Sequence, residues 1–302
     1  MPKTQPLLQF FNAIVMSLSL ALSSLSATST ENYSKWLARI GGEVDYIRHS
    51  TEGMWMHGVG TSWIIQTAYI KKQVKLELDL QFGRSPMDIH GSYATFAVDT
   101  SPIKNEPRFN RFNGASTLYL NVAFKVGWNI LDSIEDPLYI NLGYNTGDVF
   151  LHYSRGYPII FGQQSVALFI EAEGKKSIND TFAISYLGRI GYSGAITQVQ
   201  GTDDIQQKDV VNLEPLNNEA GFEAWASVGF TYALSKKVSF FTRLNAKYLH
   251  LPATRSAQLT TIANGYQTGD PLDTGIVSNQ VFNVAYPKTY RLFAGISLGF
   301  EF

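Results

Sequence analysis

Tyr290-Arg291-Leu292-Phe293-Ala294-Gly295-Ile296-Ser297-Leu298-Gly299-Phe300-Glu301-Phe302 closes the chain. Every second residue, from Tyr290 through Leu292, Ala294, Ile296, Leu298 and Phe300 to Phe302, is apolar, while Arg291, Ser297 and Glu301 fall between them. Successive side chains of a strand point to opposite faces, so this stretch reads as one long strand with an apolar face and a mixed face. The same period of two recurs upstream. Val74, Leu76, Leu78, Leu80 and Phe82 alternate with Lys75, Glu77, Asp79 and Gln81, and Trp36 to Tyr46 alternate with Arg39, Glu43 and Asp45. Leu118 to Trp128, Val166 to Ala172, Phe182 to Ile190, Phe222 to Phe230 and Val238 to Tyr248 repeat the pattern. No segment sustains a 3.6-residue period, so the fold is all-β.

The alternation predicts strands near 36–48, 60–70, 73–83, 115–130, 137–152, 162–173, 181–199, 220–234, 237–250 and 287–302. Most exceed both the five or six residues of a typical soluble strand and the roughly 9–11 that a tilted strand needs to cross a bilayer. Short connections at 71–72, 131–136, 174–180 and 235–236 alternate with longer ones at 49–59, 84–114, 153–161, 200–219 and 251–286. That layout predicts a closed antiparallel transmembrane β-barrel of about ten strands, with the short turns periplasmic and the long loops outside. Ser92–Val98 and Ile276–Ala285 are strand-like stretches inside the long loops, and counting them gives twelve. Lys71-Lys72, Lys175-Lys176 and Lys236-Lys237 mark three of the short turns. Trp36, Tyr69, Trp128, Phe182, Tyr232, Phe240 and Phe300 gather near the predicted periplasmic strand ends, where amphipathic rings favour the headgroup level.

The terminal strand resembles the C-terminal strand of bacterial outer-membrane barrel proteins, over about thirteen residues. The resemblance implies that Phe302 is the residue recognised by the barrel-assembly machinery, and that outer-membrane lipids are the surroundings. Residues 1–27 fit the path such a protein takes. Lys3 precedes an apolar stretch from Leu7 through Leu25, and small residues cluster at Ser23, Ser24, Ser26 and Ala27. This is the layout of a cleaved secretory signal peptide, with cleavage expected after Ala27 or, second, after Ser26, leaving 28–302 as a single barrel domain.

Composition narrows the function. Lys and Arg number 24 against 25 Asp and Glu, which argues against a nucleic-acid binder with its basic excess. Cysteine is absent, excluding disulfides, thiolate metal sites and Cys nucleophiles. No metal-ligand spacing accompanies His49, His57, His90, His152 and His250, and no cofactor is implied.

The inward faces of the predicted strands carry Lys75, Glu77, Asp79, Lys125, Glu171, Arg189, Glu223, Arg243, Lys247 and Arg291. Mixed signs at these positions predict either a plug of paired charges or a narrow polar path. The best catalytic candidate, ahead of the His49-Ser50 pair in the first outer loop, is Leu151-His152-Tyr153-Ser154-Arg155-Gly156, which resembles the His-x-Ser segment of outer-membrane lipid A deacylases. The resemblance implies that His152 activates Ser154 against an acyl ester. Arg155 stands where that family has Asn, and Glu171 is the candidate acidic partner. Omptin-type outer-membrane proteases are also ten-stranded. Asp88, His90, Asp203 and Asp204 supply acids and a His in the corresponding loops, but no His occurs between 152 and 250 to complete their second pair. The reading is therefore a porin-like or surface-exposed barrel with long outer loops, the alternatives being a lipid-directed enzyme or a host- or partner-binding surface protein without a pore.

Overall fold

A computed structural model describes residues 34–51, 54–91, 112–153, 159–202, 210–212, 216–255, 257–260, 281–284 and 287–302. The expected leader and the stretch Ser92–Val98 lie outside them. The strands are β1 (Ser34–Thr51), β2 (Met54–Lys71), β3 (Val74–Gly91), β4 (Phe112–Asn129), β5 (Leu138–Tyr153), β6 (Ile159–Ser177), β7 (Phe182–Thr202), β8 (Val210–Asn212), β9 (Leu216–Ala233), β10 (Ser239–Leu251), β11 (Ala257–Thr260), β12 (Val281–Val284) and β13 (Thr289–Glu301).

Neighbours run in the order β6-β5-β4-β3-β2-β1-β13-β10-β9-β7, and β7 pairs back onto β6. Among the described residues, ten antiparallel strands thus close a ring, with β8 a short addition to β7. β12, inside the strand-like stretch 276–285, pairs with β11 as a separate ribbon and does not enter the ring. The barrel therefore has ten strands and not twelve. The ring closes where the first strand meets the last, in a register running from Arg39↔Glu301 to Thr51↔Thr289.

Burial runs opposite to that of a soluble sheet. On β1, Val44 is 54% exposed beside Asp45, which is 0% exposed. Leu142, Ile170, Ile190, Val228, Leu244, Ile296 and Leu298 are likewise exposed on the outside, and polar groups fill the inside. An exterior of this kind is stable against hydrocarbon and not against water.

Two aromatic rows bound the apolar band. At the end with the short turns, Trp36 packs on Tyr69 at 4.9 Å, Phe182 on Phe230 at 5.5 Å and Phe240 on Phe300 at 6.0 Å. At the opposite end, with the longer loops, Phe222, His250 and Tyr290 are ring neighbours, and Trp55 stacks on His90 at 4.0 Å. From Phe300 to Tyr290 the strand advances about 34 Å, which at a tilt of about 40° spans roughly 26 Å, close to the apolar height of membrane barrels.

The ladders extend farther at the loop end than the alternation suggests. β1 runs to Thr51, β2 starts at Met54 and β3 continues to Gly91, so His49, His57 and His90 sit in strands and not in loops. Beyond the hydrocarbon both faces can meet polar surroundings, so the hydrophobic period fades while the backbone pairing persists.

Two local devices shape the closure. Gly41 faces Gly299 across the β1–β13 junction. A Cβ on Gly41 would stand 2.4 Å from the Leu298 carbonyl oxygen and 3.1 Å from the Phe241 ring, so only glycine admits this approach. At the turn end, Asp136 in the β4–β5 connection accepts the Ser177 amide at 2.7 Å and pairs with Lys176, clasping two turns together. The hydrogen bond from Lys176 holds the Asp136 carboxyl below its ordinary pKa, and Asp136 in turn raises Lys176.

Gly41→Val should prevent closure, and the unheated protein should lose its faster gel migration relative to the heated sample. Because the Asp136 pKa is depressed on folding, the clasp is present above the unfolded Asp value of about 3.9 and is lost as pH falls through the lower folded value. The Ser177 amide shift should stay constant from neutral pH down to about 4 and move only below it. A transition near pH 6 would contradict this assignment.

Candidate functional site, an ionic layer across the lumen

Inward positions on neighbouring strands meet because the ladders keep one register parity through the middle of the barrel, the shifts at Met87/Asp88 and Ser193/Ala195 falling toward the loop end. Lys125 on β4 is the centre, at 1% exposure. Its ammonium stands 2.5 Å from Glu77, 2.9 Å from Asp79 and 3.1 Å from Glu171. Glu171, fully buried, also receives Arg189 at 2.6 Å and Asn141 at 2.8 Å. Arg189 reaches on to Glu223 at 3.9 Å.

In the other direction Glu77 holds Lys75 at 2.6 Å, and Lys75 pairs with Glu173. Glu173 meets Arg39 at 3.5 Å, and Arg39 binds Glu301 at 2.6 Å. The ion pairs thus run without a break from Glu301 on β13 to Glu223 on β9. Arg39 on β1 and Glu173 on β6 stand on opposite sides of the ring, so this link spans its diameter.

The remaining inward groups bridge the lumen by neutral partners. Arg243 reaches Gln66 at 3.5 Å, Lys247 donates to Gln81 at 2.5 Å, and Arg291 donates to Gln163 at 2.5 Å. Tyr119 donates to Asp45 at 2.7 Å and Asn245 to Glu43 at 2.9 Å. Cations also stack on rings: Arg189 lies 3.7 Å from the Phe169 centroid and 4.4 Å from that of Trp225, and Lys247 lies 4.5 Å from the Trp225 centroid. Above this layer a cavity of about 110 Å³ remains, lined by Glu43, Tyr119, Asn145, Glu223, Trp225 and Lys247 among others. Toward the loop end lie the Arg291–Gln163 bond and the series Gln163–Thr197–Asn218, whose last member donates to the Pro252 carbonyl.

All ten inward charges named from the sequence line this interior, and Arg39, Glu43, Asp45, Glu173 and Glu301 join them. The same alternation marks these additions, since Glu173 follows Glu171 and Glu301 follows Ser297 in phase on one strand face. The catalytic candidates fare differently. His152 lies in the backbone of β5 opposite Ser116, and Ser154 lies outside the described residues. Glu171 cannot be their acidic partner. It pairs with Asn141, eleven residues along β5 from His152, which is about 36 Å of strand, and its oxygens are committed to Lys125, Asn141 and Arg189. Asp88 and His90 lie on the outer surface of β3, where His90 stacks against Trp55. Asp203 and Asp204 lie outside the described residues.

No protein-family model matches the chain. Among solved structures, it is similar to the outer membrane protease OmpT from Escherichia coli, with a TM-score of 0.58 and 10% identity, covering 92% of this chain and 99% of that one. It is also similar to the translocator domain of the autotransporter NalP from Neisseria meningitidis, with a TM-score of 0.41 and 11% identity over 95% of each chain. Among curated proteins, 128 residues are 30% identical to the plasmin and fibronectin-binding protein A of Streptococcus pneumoniae; the match takes in 39% of this chain and 17% of that relative. At 10% identity the likeness to OmpT is one of fold, that of a bacterial outer-membrane β-barrel.

Lys125→Met leaves Glu77, Asp79 and Glu171 buried without their shared cation. Breaking a buried pair from one side typically costs about 3–5 kcal/mol. Urea unfolding in phospholipid vesicles should show a loss of that order, whereas Lys236→Met in an exposed turn should change stability by less than about 0.5 kcal/mol.

Proposed function

We propose that the protein is an integral β-barrel of the bacterial outer membrane whose lumen is closed and whose function is exercised at its loop end, exposed at the cell surface. The observation that carries this reading is the unbroken chain of ion pairs from Glu301 to Glu223, which crosses the full width of the barrel. A solute passing through would have to separate charges already desolvated, leaving each one unpaired in a low-dielectric interior. A ring of this strand number encloses little more than its own side chains.

In this reading the short turns face the periplasm and the loops face outward. Lipids contact the apolar belt. The chain reaches the membrane by a cleaved leader over 1–27, and Phe302 is the residue offered to the barrel-assembly machinery. Its backbone is tied to Ala38 by hydrogen bonds of 2.8 and 3.2 Å, while its ring stays exposed on the outer surface. The porin-like alternative has less support, because the two lumenal cavities hold only about 110 and 120 Å³ and the ionic layer lies between them.

Planar-bilayer recording of the refolded protein tests the reading, with heat-modifiable gel mobility as the proof of closure. The wild type should insert without discrete openings at high protein load. Steady unitary conductance from the wild type would sink the closed-lumen proposal and turn the inward charges into selectivity residues.

A further inference from the structure

The turn-end mouth holds the second cavity, of about 120 Å³, separated from the first at Arg243, which lines both. Its wall carries Lys35, Arg39, Lys72, Lys75, Lys175 and Arg243, six cations against the three carboxylates of Glu77, Glu173 and Glu301. Those carboxylates are held by Arg39, Lys75 and Lys125 of the ionic layer. The mouth therefore carries an excess of positive charge, with Lys75 buried within it and Lys35 and Lys72 at its exposed rim, an arrangement that concentrates anions.

An independent observation points the same way. Ser185 lines this cavity at 8% exposure, and its hydroxyl oxygen is buried without a hydrogen-bond partner. A buried hydroxyl left unpaired is costly, and a turn about χ1 toward the cavity would let it donate to an acceptor held there. Asn129, its amide engaged by the turn backbone, and Tyr139 also line the cavity.

We propose that this cavity is a binding site for a phosphate group, entered from the turn end, which faces the periplasm in the orientation above. A phosphate is acceptor-only at most of its oxygens and so matches a wall of ammonium, guanidinium and hydroxyl donors. Its size also fits. A cavity of roughly 150 Å³ admits benzene with its six heavy atoms, and inorganic phosphate has five. The site shares Arg39 and Lys75 with the ionic layer and adds Lys35, Lys175 and Ser185, which belong to no ion pair of that layer. It also does not depend on the lumen being closed.

Isothermal titration of the refolded full chain with inorganic phosphate, in a non-ionic detergent at physiological salt, tests the proposal. Saturable one-to-one binding is expected. The double variant Lys35→Gln/Lys175→Gln should weaken it by about tenfold or more, and Ser185→Ala, which keeps every charge, by several-fold. Lys236→Gln/Lys237→Gln, in a turn outside the cavity, should bind as the wild type does. A parallel titration with glycerol 3-phosphate assigns the natural form. Equal affinity marks free phosphate as the ligand, and tighter binding of the ester marks a phosphomonoester. Absence of binding to either probe overturns the site. So does equal weakening in the two lysine pairs, which would reduce the effect to general surface charge. Heat-modifiable mobility of each variant separates lost binding from lost folding.

Discussion

Inside hydrocarbon no water is available to a backbone N–H or C=O, so every such group must find its partner within the protein. The architecture follows from that constraint. A sheet meets it only by closing on itself, which here requires β1 to take β13 as its second neighbour along thirteen registered positions. Once the sheet is a ring, outward side chains face lipid and inward ones share a space too narrow for a broad water channel. The Gly41–Gly299 contact and the exposed leucines and isoleucines are two expressions of this one requirement.

The polar interior needs its own explanation, because burying charge is expensive. An apolar lumen would make both faces of every strand apolar, giving continuous hydrophobic runs that no longer carry the period of two. Runs of that length have the character of membrane helices. Placing charges inward preserves the strand pattern, and opposite signs then meet across the lumen to offset desolvation. Lys125 does this for Glu77, Asp79 and Glu171 together, with Lys75 and Arg189 sharing the outer two, so one ammonium links carboxylates from β3 and β6 across β4. Arg189 between Phe169 and Trp225 adds a second solution, in which ring faces take the place of water around a cation.

The barrel was largely legible in the sequence because its governing pattern is local: residues two apart share a face, and Lys75, Glu77 and Asp79 declare their inward direction by that rule alone. What the pattern cannot convey is which inward residue meets which across the lumen. Arg39 and Glu173 lie on opposite walls, and their meeting is set by the stagger of the whole ring. Glu171 shows how far the local pattern does reach: it follows His152 at a plausible spacing in the chain, but the predicted strand 162–173 already carries it to the turn end, and the register sets it there beside Lys125. The loop-end extensions of β1, β2 and β3 were hidden for a different reason: once a strand leaves the lipid, pairing no longer demands alternation. Ser185 lacks any sequence signature, since a serine in a strand looks the same whether or not its hydroxyl is paired.

The position of Glu301 has a consequence for the order of assembly. The ion-pair chain begins on β13, and its first partner, Arg39, sits on β1. Until β13 is placed, Arg39 lacks that carboxylate and both β1 and β10 have an unpaired edge. Neutralising the lumen and removing the last free edges are therefore the same event. Intermediates without β13 are penalised twice over, and its docking becomes a single cooperative commitment.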